Sequence, residues 1–519
     1  MRQGTAFTLL ASLAVTAGLL GAGFWALNRY APGLVNSSPP GSTSSQAQMT
    51  RLTLLGDTFS GYSTFRNPQF LQALQESGIE LIYKDEFDQA ARAKTLGENQ
   101  ADLVVTTLDQ FLAQRPQGKI VGLIDRTVGA DAVVLNTRQY PQLKSLLDLQ
   151  TLVKQRQQAG QPVSMAFAAD TPSEFLALVL DTKFDAFNLS DFKVVKVADA
   201  SEAWKLMQDP QQNIALAVLW EPYVTQARQA QNTVILSSQD APTSIVDVIV
   251  ASDRLIQSQP VVITTFLENY YRRIDANIRV SAQLQDQIAQ DGNLTPADAA
   301  TVLRGIEFFT APEALQWMQK KILQQRIQAT AAILVLAGRL SQLPSDPQAL
   351  YTPEFLTRAA TNTQTLIDLV RADNPGLADK LAGAQNRTTP AKPVTAQQVA
   401  TATNIGNLQV RGEVKFATGS AQLTAASTKT LQALARDISE FNPATVAVRV
   451  IGHTSRTGSA SFNQSLSQQR AQVVANFLKA EGVKPTVVAE GKGFSQPLSG
   501  ISPADVQNQR TEIRLVRVN

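Results

Sequence analysis

The first 30 residues are set apart by their hydrophobic pattern. Ala6–Leu27 (AFTLLASLAVTAGLLGAGFWAL) is apolar and carries no charge. A secretory signal core runs about 7–15 residues, whereas a bilayer span needs about 20. This run has the length of a span. Trp25 and Tyr30 stand where interfacial aromatics sit, and Arg2 fits the positive-inside bias. Residues 1–30 are therefore expected to form an uncleaved transmembrane helix, with a long signal peptide as the alternative; both export the rest. Residues 31–49, rich in Pro, Ser and Gly, predict a flexible tether.

From Thr50 apolar runs of strand length alternate with stretches of helical spacing. Strands are expected at Leu52–Leu55, Glu80–Tyr83, Ala101–Thr106 and Lys119–Ile124, and helices at Asn67–Ser77 and Asp88–Glu98. A second round follows: a strand at Ser164–Phe167, a helix at Ser173–Leu180, and strands at Asn213–Leu219 and Ile245–Ala251. The order predicts α/β layers on mainly parallel sheets, in two lobes with a cleft between them. Asp275–Leu323 reads as Gln-rich packing helices, with Trp317 and Met318 facing the core. Residues 372–403 are polar and contain Pro390 and Pro393, which suggests a linker. Residues 404–519 alternate again and predict an α+β sandwich. Strands are expected near Glu413–Phe416, Thr445–Ile451, Val487–Gly491 and Thr511–Val516, with helices at Ala425–Ile438 and Ser461–Gly482. The expected domains are thus 1–30, 31–49, 50–371, 372–403 and 404–519.

Composition removes several chemistries. The 519 residues contain no Cys, which excludes disulfides, Cys-zinc sites, thiol catalysis and a lipidated N-terminal Cys. The single His, His453, leaves no room for a His-cluster metal site or a Ser-His-Asp triad elsewhere. No cofactor is expected. Residues 401–519 hold 13 Lys and Arg against 7 Asp and Glu. That excess suits an anionic polymer such as cell wall. The basic residues are scattered rather than clustered, which argues against nucleic acid.

The densest chemical signal is Gly452–Arg470 (GHTSRTGSASFNQSLSQQR): a strand end, a polar loop, then a helix carrying Arg470. A guanidinium facing a polar loop can hold a carboxylate by paired hydrogen bonds. A surface Arg beside an exposed loop gives the same pattern. The stretch resembles the loop–helix motif of OmpA-like peptidoglycan-binding domains, through Gly452, His453, Thr454, Gly458, Asn463, Leu466, Ser467, Arg470 and Ala471. Val414–Phe416, Ser420–Leu423, Gly491–Pro497 and Asn508–Ile513 resemble further motifs of that family, in its order. The resemblance implies peptidoglycan as partner, bound by Thr454, Ser455, Asn463, Leu466, Arg470 and Arg510. It implies that Arg470 grips the carboxylate of diaminopimelate. The family usually has Asp at the position of Ser455, where it pairs with the diaminopimelate amino group; losing such a charge-assisted bond costs roughly 1.5–3 kcal/mol.

Residues 52–371 resemble the periplasmic solute-binding proteins of ABC importers, in the nitrate/sulfonate/thiamine-precursor group. The likeness is carried by Gly56–Tyr62 (GDTFSGY), Ala101–Phe111, Leu219–Tyr223 (LWEPY), Ser252–Asn269 and Ala331–Phe355. The resemblance implies a two-lobed periplasmic-binding-protein fold, a small-molecule solute and an ABC permease as further partner. Candidate ligand-binding residues stand at strand ends and helix starts, where free backbone N–H groups collect: Ser60, Gly61, Tyr62, Thr106, Thr107, Thr171, Ser173, Trp220 and Glu221. Asp109, Asp131, Glu221 and Asp247 add acid, which favours a cationic or neutral ligand. The expected protein is non-enzymatic and sits in the bacterial envelope, in the periplasm, held at the inner membrane and at the wall. A scaffold or sensor that binds a protein partner is the alternative, and an enzyme on the same fold a third.

Overall fold

The computed structural model describes residues 49–241, 245–383, 394–417 and 419–518. The expected anchor or signal peptide, and the tether up to residue 48, lie outside them. Among the described residues no helix is long and apolar enough to cross a membrane.

The first part of the chain builds two sheets. Its strands are β1 (Thr50–Gly56), β2 (Ile79–Asp85), β3 (Leu103–Thr107), β4 (Gly118–Thr127), β5 (Asp131–Leu135), β6 (Ser164–Ala168), β7 (Lys193–Val197), β8 (Ile214–Trp220), β9 (Thr233–Ser237), β10 (Val246–Ser252) and β11 (Ile306–Phe308). One sheet has the order β11-β4-β10-β3-β1-β2 and the other β7-β6-β8-β5-β9. Every position of β3, β5 and β6 is buried, so these strands read as short apolar runs covered on both faces. The chain passes between the sheets twice, across residues 128–130 from β4 to β5 and again between the end of β9 at Ser237 and the start of β10 at Val246. Two sheets joined by two crossing segments make two lobes. The sheets are mixed rather than mainly parallel: β10 runs antiparallel to β3 and β4, and β5 antiparallel to β8 and β9. The strands that follow the crossovers enter their sheets reversed, a consequence of connectivity that the alternation of runs does not carry.

The C-terminal part forms a third sheet from β12 (Thr403–Asn407), β13 (Val446–Gly452), β14 (Val487–Gly491) and β15 (Thr511–Arg517), in the order β12-β15-β13-β14. Helices Ala425–Ile438 and Ala460–Ala480 accompany it, capped by the Thr424 and Ser459 hydroxyls. The strand expected near Glu413–Phe416 is not one. β12 takes the edge place beside β15, and the 413–415 backbone is instead held by the Ser427 hydroxyl. The stretch read as linker carries helix Pro375–Leu381, packed on Ile367 through Ala378 and Leu381, and helix Ala396–Thr401, whose Val399 packs on Ala447 and Val516.

Helix Ala460–Ala480 lies very close to the strands beneath it. A Cβ at Gly452 would fall on the Ser467 carbonyl, and one at Gly491 on the Gln468 backbone nitrogen. Because neither obstacle is a movable side-chain tip, Gly452→Ala is expected to cost about 1–3 kcal/mol, read as a lower denaturant midpoint. An unchanged midpoint would refute the close approach.

The third sheet's domain is seated on the second lobe and its crossover. The Gln409 N–H donates to the Lys183 carbonyl (2.8 Å), and Asp185 N–H to the Asn407 carbonyl (3.0 Å). The buried Lys183 ammonium meets Asp437 (2.5 Å) and Glu440 (3.2 Å). Asn442 donates to the carbonyls of Asp240 (2.7 Å) and Gln239 (3.0 Å), and Arg517 reaches the Asp240 carboxylate (2.7 Å).

Candidate functional site

The inter-lobe site begins at the turn after β1. Ser60–Arg66 forms a 3-10 turn that buries Gly61 and Tyr62. The Tyr62 hydroxyl donates to Asp247 Oδ1 at 2.5 Å. Gly61 sits directly on Asp125, whose Oδ2 occupies the space a Cβ would need. Ser60 is half-buried at the start of the turn. Asp247 pairs in register with Thr107 on β3, and the buried Thr107 hydroxyl lies against Asp109. Thr106 instead donates to Gln89 (2.9 Å). Across the crossover, Asp131 opens β5 opposite Trp220, which ends β8. Glu221 follows and accepts from the Thr225 N–H and hydroxyl, both at 3.0 Å.

The structure thus brings Gly61, Tyr62 and Thr107 to Asp125 and Asp247, and Trp220 and Glu221 to Asp131. No hydrogen bond among the described residues joins Thr171 or Ser173 to them. Thr171 caps its own helix, Pro172–Lys183, by accepting from Ser173 N–H (3.2 Å), and the buried Ser173 hydroxyl has no partner. Asp125 was missed by reading the sequence. Its signal was present: an acid closing the apolar run Ile120–Ile124 of a central strand.

Burial governs the electrostatics. It pushes Asp125 up to about 8 and Asp131 up to about 7, Asp131 being raised further by Glu221 and Asp109. Asp247 is raised by burial and then by Asp125, and Asp109 by burial. Tyr62 is raised by burial and then by Asp247, so it stays a donor. Asp125 and Asp247 face one another, and two adjacent buried carboxyls hold a proton between them at neutral pH. The adjacent Arg126 is engaged elsewhere, with Glu307 (2.9 Å) and Glu313 (2.8 Å).

In the C-terminal domain Arg470 is buried. Its Nε donates to the Ser420 carbonyl (3.0 Å), and its guanidinium lies 5.0 Å from the centre of the Phe416 ring. Burial lowers its pKa, and no carboxylate among the described residues pairs with it. Thr454 and Ser455 are also buried; the Thr454 hydroxyl lacks a partner among the described residues, and Ser455 accepts from Gln509 (3.1 Å). Asn463 pins the loop by donating to the Thr457 (2.8 Å) and Ser459 (3.1 Å) carbonyls, and Leu466 is half-buried on the same helix. Arg510 is held by Glu512 (2.6 Å), which also takes Arg514 (2.5 Å). His453 lies beside this group. Burial, then Arg510, holds it down to about 4, so it is neutral at pH 7.

Residues 415–511 match the OmpA family. The C-terminal domain is an OmpA family domain. Over 105 residues the chain is 35% identical to outer membrane protein A of Shimwellia blattae, covering 20% of this chain and 43% of that one. Over 111 residues it is 40% identical to the probable lipoprotein YiaD of Escherichia coli, covering 21% and 50%. The chain therefore spans half or less of these curated relatives. Ahead of the OmpA domain, the structural neighbours are SsuA-type ABC sulfonate-binding proteins. The periplasmic aliphatic sulphonate binding protein SsuA of Escherichia coli is 15% identical, with 60% of this chain and 99% of that one covered at a TM-score of 0.44. The desulfurization enzyme DSZB is another neighbour, 12% identical over 60% and 99% at 0.43.

Proposed function

We propose that the chain is a non-enzymatic protein of the bacterial cell envelope, in which a two-lobed domain takes a small solute and the OmpA domain holds peptidoglycan. Arg470 carries the second half of this reading. A guanidinium fixed by one carbonyl and one ring, and not neutralised by an acid, keeps its remaining N–H donors for an outside carboxylate. The partly enclosed polar floor of Thr454 and Ser455 belongs to the same loop–helix unit. Arg510 has a different role here: with its charge taken by Glu512, it supports the floor, its carbonyl accepting the His453 N–H (2.9 Å). A permease partner and attachment to the inner membrane through residues 1–30 complete the reading.

The test is co-sedimentation of the exported chain with purified peptidoglycan. Wild type is expected in the pellet. Arg470→Ala should weaken binding at least tenfold, the loss of a charge-assisted bond. Equal sedimentation of the two would end the wall-binding claim.

A further inference from the structure

We infer that the solute of the two-lobed domain is an organic ammonium ion, held between the lobes by Asp125 and Asp247 on one side and Asp131 on the other. The inference rests on the solute-binding reading above and names its ligand class.

Acids converge here from both lobes without a basic partner of their own. Asp125 lies near the end of β4 and Asp247 near the start of β10 in the first sheet; Asp131 begins β5 in the second, with Glu221 and Asp109 as its charged neighbours. The two nearest guanidinium groups are spoken for. Arg126 binds Glu307 and Glu313, and Arg92 binds Asp57 (2.9 Å) and the Val105 carbonyl (2.6 Å).

A second observation points to a ligand. Both oxygens of Asp125 and Oδ2 of Asp247 are buried, and apart from the proton the two carboxyls share they have no hydrogen-bond partner among the described residues, while the Thr107 and Thr127 hydroxyls turn to Asp109 and Asp131. These residues are 0–5% exposed. Buried polar atoms are nearly always satisfied, and a group left over needs a partner that comes from outside. Here the leftover atoms are mostly acceptors, so the missing partner is a donor. Tyr62 fixes Asp247 through Oδ1 and leaves Oδ2 to face the site.

The donor set selects among cations and anions. A sulfonate or nitrate would enter a field of carboxyls. A metal ion needs three or more ligands converging on one point, and no such group exists among the described residues. An ammonium carries N–H donors that can be shared between separated carboxyls, and the half-buried Trp220 ring opposite Asp131 suits its alkyl part or its charge. Acids on both sides of the crossover suit two positive ends better than one.

The test uses the full chain at pH 7 with three probes: butane-1,4-diamine, butane-1-sulfonate and magnesium chloride. The diamine is expected to raise the melting temperature. Calorimetry in two buffers of different ionisation heat should show proton release on binding, as the shared proton leaves the Asp125–Asp247 pair. Asp125→Asn and Asp131→Asn should each fold and bind the diamine about ten- to a hundredfold more weakly. A response to the sulfonate or to magnesium alone would overturn the ammonium assignment and leave solute binding standing. No response to any probe would overturn both. Diamine binding that the two variants leave intact would overturn the site.

Discussion

Arg517→Ala is expected to destabilise the chain by about 3–5 kcal/mol, the usual result of stripping the cation from a buried carboxylate. Asp240 is fully buried in the crossover between β9 and β10, and Arg517, near the end of the OmpA domain, supplies its only ion pair among the described residues at 2.7 Å. The Ser237 N–H and hydroxyl remain as donors to the same oxygen, but they bring no charge. The same guanidinium also donates to the Ile235 carbonyl (3.1 Å). The measurement is the urea midpoint of the full chain, alongside Arg517→Lys, which should recover part of the loss by restoring charge without the planar fork. A loss below about 1 kcal/mol would show that Asp240 does not depend on this residue.

Asp125→Asn should act in the opposite direction and raise the stability of the ligand-free protein at pH 7 by up to about 4 kcal/mol. Asp125 is raised in the folded state, so the folded chain keeps a proton that the unfolded chain has lost. Stability from this group is fully present below about pH 4 and is lost as pH rises through its folded value of about 8. The slope is about 1.4 kcal/mol per pH unit for one proton. The groups facing it are Asp247 and Tyr62, with Asp131, Tyr270 and Arg126 acting at longer range. Asp131, raised to about 7, adds a loss of the same sign. His453 opposes them: being lowered to about 4, it weakens the fold as pH falls below 6.5. An asparagine at 125 carries no proton to lose and offers Nδ2–H to Asp247. Melting curves from pH 5 to 8 should therefore be flatter for the variant; parallel curves would refute the assignment. A residue that weakens its own fold until a ligand arrives is a common mark of a binding site.

Much of the layout was legible in the sequence because it is local. Leu103–Thr107 and Ser164–Ala168 are mostly apolar and buried over their whole length, and Thr171-Pro172 announces the helix Pro172–Lys183 by its cap and its first-turn proline. The loop–helix unit at Gly452–Arg470 was equally plain, since its glycines and Asn463 act within one strand, loop and helix, although Arg470 reaches back to Ser420 and Phe416. What was not legible depends on distant pairing. The reversed strands β5 and β10 are set by the crossovers, and β12 wins the sheet edge through a partner more than 100 residues away. Arg510 looked free beside its loop, yet two positions on Glu512 claims it. Thr171 and Ser173 carry hydroxyls in the right local setting, but chain topology keeps Thr171 at its own helix start. Asp125 was hidden by being one acid in an apolar strand; only packing reveals that Gly61 and Asp247 face it.

The seating of the OmpA domain has a mechanical consequence. Asn442 and Arg517 grip the segment joining the lobes, while Lys183 ties the second lobe to Asp437 and Glu440. Arg326, on the helix Ile322–Leu336 that packs against both lobes, adds an ion pair to Glu440 (3.8 Å). If the OmpA domain is moored to a stationary polymer, tension on the mooring is felt at the pivot.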